Sequence, residues 1–273
     1  MYVVTMGKYF SEHSSWEKAY EEAKKAQSIH FEPCRISLKR SNTVLWDSSD
    51  CAVLNTYESF SREEWDSFER CGAKKENKPS VYFDIDGTLG YWYQNARGFV
   101  YPDEVLDPNK HYFRTIEPHP FMIDVARTLH EKGYDVCVIS AADRYTIKDK
   151  WDWLSEHCSF IPPENIFFCP LGADKNNFVK GNAEYSILID DYKENLKQWK
   201  GIPVKAINTI NSPDANMTNI MGKSGDAIFE QFGEKNILYK NLLEKSVSDI
   251  TSLLNSIQKE ISGKSKQKND ISR

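Results

Sequence analysis

Two aspartates one residue apart, Asp84 and Asp86, follow the apolar run Val81-Tyr82-Phe83 and lead into a Gly87-Thr88 turn. An apolar β-type run of this kind delivers carboxylates to the C-terminal end of its strand, the edge where open α/β sheets bind ligands. Side chains alternate along a strand, but where the strand ends and the chain turns, carboxylates at i and i+2 can converge on one small site. Paired carboxylates suit a hard, oxygen-seeking cation such as Mg²⁺, and an aspartate held beside one can attack phosphorus. Asp-x-Asp-Gly also fits a plain turn or a calcium loop. No acidic residue stands at the closing position of such a loop, which disfavours calcium.

Three further polar groups stand at the ends of later β-type runs: Ser140 after DVCVI, Lys175 in the loop after NIFFCP, and Asp190-Asp191 after YSILI. Singly, each has a plainer reading. Ser140 can cap a turn, Lys175 can be a surface lysine, and the two aspartates can cap a helix starting near Lys193. Together they supply what phosphoryl transfer needs: a cation and an ammonium against phosphate charge, a hydroxyl on its oxygens, and a carboxylate to attack.

The elements that must position these groups alternate. Strands are expected at 81–85, 134–139, 165–169, 185–189 and 204–207, with helices at 119–131, 146–157 and 193–199. Buried-type strands separated by helices call for a parallel sheet with right-handed crossovers, so the expected class is α/β, a Rossmann-like doubly wound sheet with a short flap or cap insert. Residues 1–72 read as a small α+β domain with strands near 2–6, 35–38 and 43–46. Its expected helices lie near 15–28 and at 61–71, the latter opened by a Ser61…Glu64 capping box. Residues 73–80 read as a linker. Residues 81–222 carry the α/β domain. Residues 223–262 form an amphipathic C-terminal helical extension, and the lysine-rich 263–273 is expected to be a disordered tail.

A chain of 273 residues, 40% of them hydrophobic, can bury a full core. No apolar run is long enough to span a membrane and the N-terminus lacks a leader pattern, so a cytoplasmic protein is expected. The six cysteines (Cys34, Cys51, Cys71, Cys137, Cys158, Cys169) show neither a C-x-x-C pair nor zinc-finger spacing. The net charge of −5 argues against an extended nucleic-acid surface.

In this order, Asp84-Ile85-Asp86-Gly87-Thr88, Ser140, Lys175 and Asp190-Asp191 resemble the four motifs of the haloacid dehalogenase-like phosphohydrolases. Within that superfamily, HYFRTIEPHP, KWDWLSEH, LGADKNNFV and LIDDYKENLKQW resemble the 5′-nucleotidase branch that includes the cytosolic deoxyribonucleotidases. The resemblance spans about 80–222 and does not reach the N-terminal domain. It implies Asp84 as nucleophile and Mg²⁺ ligand, and Asp86 as general acid and base with its carbonyl on the metal. It implies Thr88, Ser140, Ala141 and Ala142 around the phosphoryl group, Lys175 as charge compensator, and Asp191 as metal ligand with Asp190 beside it. Asn195 stands where the family often has a further acid.

The segment between the first motif and the helix at 119 is dense in aromatic residues, including Tyr91, Trp92, Tyr93, Phe99, Tyr101, Tyr112 and Phe113. Aromatic faces stack on bases, so Trp92 and Tyr93 are candidates for the substrate pocket; the rings would equally serve to pack on one another. Arg97 and Arg144 are candidates to reach a phosphate or sugar. The expected substrate is a small phosphate monoester, a 5′-nucleotide or deoxynucleotide. Alternatives are another phosphometabolite, a nucleic-acid end, or a non-catalytic interaction protein. A protein partner would dock through residues 1–72 or the C-terminal helix.

Overall fold

The structure is a computed structural model and describes residues 1–6, 8–16, 18–23, 34–40, 44–47, 78–92, 111–142, 146–169, 174–179 and 181–271. The expected helix at 61–71 with its capping box, most of the linker, and Tyr93, Arg97 and Arg144 lie outside these residues.

The N-terminal part holds four antiparallel strands, β1 (Tyr2–Met6), β2 (Tyr9–His13), β3 (Arg35–Leu38) and β4 (Val44–Asp47), in the order β2-β1-β3-β4. Tyr2, Val4 and Ile36 are buried there, with Trp16 and Ala19 from the helical turns at 18–23 and nearby. Strand β2 was not expected, because YFSEH exposes its two aromatic residues and carries no apolar alternation.

The second sheet has six parallel strands: β5 (Ser80–Phe83), β6 (Asp135–Ala141), β7 (Ile166–Cys169), β8 (Ser186–Asp190), β9 (Ile202–Ala206) and β10 (Thr218–Ile220). Their order is β10-β9-β8-β5-β6-β7. The chain therefore builds outward from β5 in one direction, then returns to its other side with β8. That reversal puts the crevice at the C-terminal end of β5, flanked by β6 and β8. Side chains alternate between two buried layers, as a parallel sheet covered on both faces requires. Val81, Phe83, Val138, Ile187 and Ile189 pack on one side, and Tyr82, Cys137, Ile139 and Leu188 on the other.

The first layer is covered by α1 (Pro120–Glu131), α2 (Ile147–His157) and the C-terminal helices α4 (Gly222–Phe232) and α5 (Ile237–Ile271); α3 (Lys193–Gln198) lies on the second. Helix α5 packs on α1 and α4 through Tyr239, Val247, Ile250, Leu254 and Ile257. It continues through Ile271, where a disordered tail was expected. Lys264 pairs with Glu260 one turn back and lies over the Tyr185 ring, so favourable side-chain contacts continue into the basic stretch. Among the described residues no helix is long and apolar enough to cross a membrane.

Candidate active site

Strand β5 ends at Phe83, and the next residue is already held by the sheet's neighbour: the Asp84 amide donates to the Ile189 carbonyl at 3.0 Å. The chain then folds tightly. Thr88 N and Gly90 N both donate to the Ile85 carbonyl, and Gly87 N donates to Gly90 O. Gly87 has φ +77°, and a Cβ there would run into the Asp191 carboxylate. Glycine is thus required twice over, for the left-handed backbone and for the close approach of an acid.

Asp84, Asp190 and Asp191 come together, each offering a carboxylate oxygen within 4.8 Å of the others. All three are buried. Lys175 enters from a single 3-10 turn, 175–177, whose preceding Asp174 caps the Asn176 amide. Its ammonium donates to Asp190 Oδ2 at 2.7 Å and to the Ile139 carbonyl at 3.1 Å, and lies 3.2 Å from Asp84 Oδ2. Burial works against that charge, but the Asp190 and Asp84 carboxylates outweigh it and hold the ammonium above its ordinary range.

The two adjacent acids of the fourth motif are not equivalent. Asp190 is surrounded by donors: besides Lys175, Asn195 Nδ2 reaches Oδ2 at 3.0 Å and the Tyr192 amide reaches Oδ1 at 2.7 Å. Burial pushes its carboxyl up and Lys175 opposes that. Asp191 is oriented from another strand end, where Asn208 Nδ2 donates to its Oδ2 at 2.9 Å and to the Gly87 carbonyl at 3.1 Å. Asn211 Nδ2 holds the Asp191 carbonyl at 3.3 Å. Neither aspartate caps α3, whose N-cap is Tyr192. Asn195, at the position where an acid was expected, serves Asp190.

The Asp86 carboxylate stands apart from this trio. Its Oδ2 accepts from the Lys150 ammonium, while its buried Oδ1 has no partner among the described residues. Burial raises its pKa above the ordinary carboxylate range, against the pull of Lys150. The carboxylate cluster is formed by Asp84, Asp190 and Asp191 without the Asp86 side chain, whose expected contribution to a metal was its backbone carbonyl.

Lys150 was not anticipated. It donates to Ser140 Oγ at 3.2 Å and to the Ala141 carbonyl at 2.5 Å, and lies 4.5 Å from the Phe113 ring centroid. The signal was present: Lys150 falls on the buried stripe of α2, between Ile147 and Leu154, where a lysine needs a partner. Ser140 is the penultimate residue of β6 and fully buried, and Thr88 Oγ1 is buried with no partner among the described residues.

Of the aromatic residues in this segment, Tyr91 stacks on His119, with centroids 4.4 Å apart. Trp92 stacks on Phe113 at 5.1 Å and 9°, and Tyr112 meets both edge-on. Tyr91, Tyr112 and Phe113 are buried, while Trp92 stays half-buried.

Residues 105–221 match the family described as "5' nucleotidase, deoxy (Pyrimidine), cytosolic type C protein". A 5'(3')-deoxyribonucleotidase of Clostridium acetobutylicum is 33% identical over 153 residues, covering 46% of this chain and 79% of that protein. One of Bacillus subtilis is 32% identical over 75 residues, 27% of this chain and 39% of that protein. The family match begins beyond Asp84 and Asp86.

Proposed function

The chain belongs to the 5′(3′)-deoxyribonucleotidase branch of the haloacid dehalogenase-like phosphohydrolases, and from that premise we propose that it hydrolyses 5′-(deoxy)nucleoside monophosphates through an aspartyl-phosphate on Asp84. It is a phosphatase. The observation that carries the finer reading is the convergence of Asp84, Asp191 and Lys175 at the end of β5, next to a separate Asp86 whose pKa burial raises.

The residues fit a divalent cation. Three buried carboxylates form a hard-oxygen donor set, and Gly87 leaves the space in which Asp191 can approach. Asp84 and Asp191 would hold Mg²⁺, joined by the Asp86 backbone carbonyl. Asp190 already accepts from Lys175, Asn195 and Tyr192, and so acts as the anchor of Lys175. Bound there, Mg²⁺ supplies positive charge against the phosphate oxygens.

In the first step an Asp84 oxygen forms a bond to phosphorus and the bond from phosphorus to the nucleoside oxygen breaks. Asp86 gives a proton to the leaving oxygen; burial raises its pKa above the ordinary carboxylate range, which favours the protonated form. In the second step Asp86, now ionised, takes a proton from water as the water oxygen attacks phosphorus and Asp84 leaves. Lys175 offsets charge between Asp84 and the phosphate. Ser140, Thr88 and the amide of Ala141 hold phosphate oxygens, with Lys150 keeping Asp86 and Ser140 in register. Trp92 is assigned to the side of the base and sugar, the role for which Tyr93 and Arg144 are the sequence candidates. The chemistry belongs to residues 81–222.

Acid-quenching the enzyme during turnover of a ³²P-labelled deoxynucleoside monophosphate tests the intermediate. Label on the peptide containing Asp84, absent from Asp84→Asn, is expected; label-free protein at full turnover would refute the covalent route.

A further inference from the structure

Away from the reacting groups lies a buried acid–imidazole couple. His119 Nδ1 is 2.5 Å from Asp226 Oδ2, with side-chain exposures of 1% and 5%. His119 is the N-cap residue of α1 but makes no capping bond itself; Asp226, reaching across from α4, accepts the Phe121 amide on Oδ1 at 2.9 Å. One carboxyl thus satisfies an orphan amide of one helix and lies against the imidazole beside it.

That imidazole faces the loop that leaves the first motif. The His119 amide donates to Leu89 O at 2.7 Å, Gly90 bridges Pro118, and the Tyr91 amide donates to Glu117 O at 2.8 Å. The Tyr91 ring lies flat on the imidazole, and the next residue is Trp92. On the other side of the ring Gly222 leaves only enough room for it, since a Cβ there would lie 2.7 Å from Cε1.

We propose that His119 and Asp226 are a positioning pair that sets the placement of Tyr91 and Trp92, and through them the preference for a substrate bearing a base. This rests on the reading that Trp92 lines the base side of the pocket. Burial lowers the imidazole to about 3 and raises the carboxyl to about 7, so each is pressed toward its uncharged form and the two lie together without a buried charge. Among the described residues, the other titratable groups near the couple are Tyr91 on the imidazole face, Glu230 on α4, Tyr239 on α5 and Asp124 on α1; Glu230 adds to the upward push on Asp226, and Tyr239 donates to Asp124 at 2.6 Å.

The test compares kcat and KM for deoxyuridine monophosphate and for glycerol phosphate, with thermal melts, in three proteins. His119→Leu/Asp226→Leu removes the couple without leaving a lone buried charge. Asp226→Asn keeps a polar group of the same shape against the ring and an acceptor for the Phe121 amide. The double variant is expected to raise KM for the nucleotide about tenfold, the worth of one weakened base–aromatic stack, with glycerol phosphate kinetics little changed. Asp226→Asn is expected to stay near wild type on both. An unchanged preference in a folded double variant, or parallel loss on both substrates, would overturn the proposal. A wild-type enzyme that treats both substrates alike would instead remove the reading of Trp92 on which it rests, and the proposal with it.

Discussion

Asp190 lies against the Lys175 ammonium while Asp191 is held by Asn208, and replacing each separately tests a division of work between the two acids. Asp191→Asn should leave the fold intact and raise the Mg²⁺ concentration needed for half-maximal activity, measured by titration of the metal. Asp190→Asn should mainly destabilise, by roughly 3–5 kcal/mol in a denaturant melt, because it strips the closest counter-charge from a buried lysine. Similar melts for the two variants would contradict the division. The strand-end rule made Asp84, Ser140, Lys175 and Asp190-Asp191 legible, because each follows a run of apolar β-formers. Asn208 obeys the same rule, two residues past β9, and was missed because an amide does not advertise chemistry. Lys150 was hidden by its neighbours Lys148, Asp149 and Asp152, which make its helix look like a solvated face; only its place on the apolar stripe gave it away.

At the scale of elements, helices α1 and α4 are joined by a couple whose two pKa shifts cancel. Unfolded, near pH 5, His119 with its ordinary value of 6.5 carries the proton and Asp226, at 3.8, does not; folded, with values of about 3 and about 7, the proton is on Asp226. One proton is bound in each state, so folding draws no pH dependence from the pair between about 4 and 6.5. Breaking the pair should unmask opposite slopes. His119→Gln leaves a carboxyl that holds its proton more tightly when folded, so its melting temperature should fall as pH rises from 4 to 7. Asp226→Asn leaves an imidazole that resists protonation when folded, so its melting temperature should fall as pH drops from 7 to 4. Parallel slopes in both variants would contradict the assignment. The long strands and helices of the α/β part were readable from periodicity to within a residue or two. The three-residue β10 was not, since Thr-Asn-Ile has no alternation to detect and its strand character comes from pairing with β9.

For the whole molecule, the C-terminal helix is part of the core through its first half and less so beyond. Ile250 and Leu254 are buried, and Tyr239 lies against Phe121 and Phe229. Ile250→Ala should cost about 2–5 kcal/mol in a denaturant melt. Ending the chain after Ser262 should change that melt little, whereas ending it after Asn236 should give an insoluble or unfolded protein. The length of α5 could not be read from composition, because its lysine-rich end looks like a tail until the turn that pairs Lys264 with Glu260 is seen. The central claim joins these scales: a sheet whose order reverses at β5 brings Asp84 to Lys175 and Asp191 for attack on a nucleotide's phosphate. The most direct measurement is phosphate release, with Mg²⁺, from a panel of deoxynucleoside monophosphates, glycerol phosphate and end-phosphorylated oligonucleotides by the wild type and Asp84→Asn. The account predicts that the monophosphates are preferred and that Asp84→Asn loses on the order of 10⁴-fold or more, as removal of a nucleophile does. Asp84→Asn turning over at near the wild-type rate, or a wild type silent on every nucleotide, would contradict it.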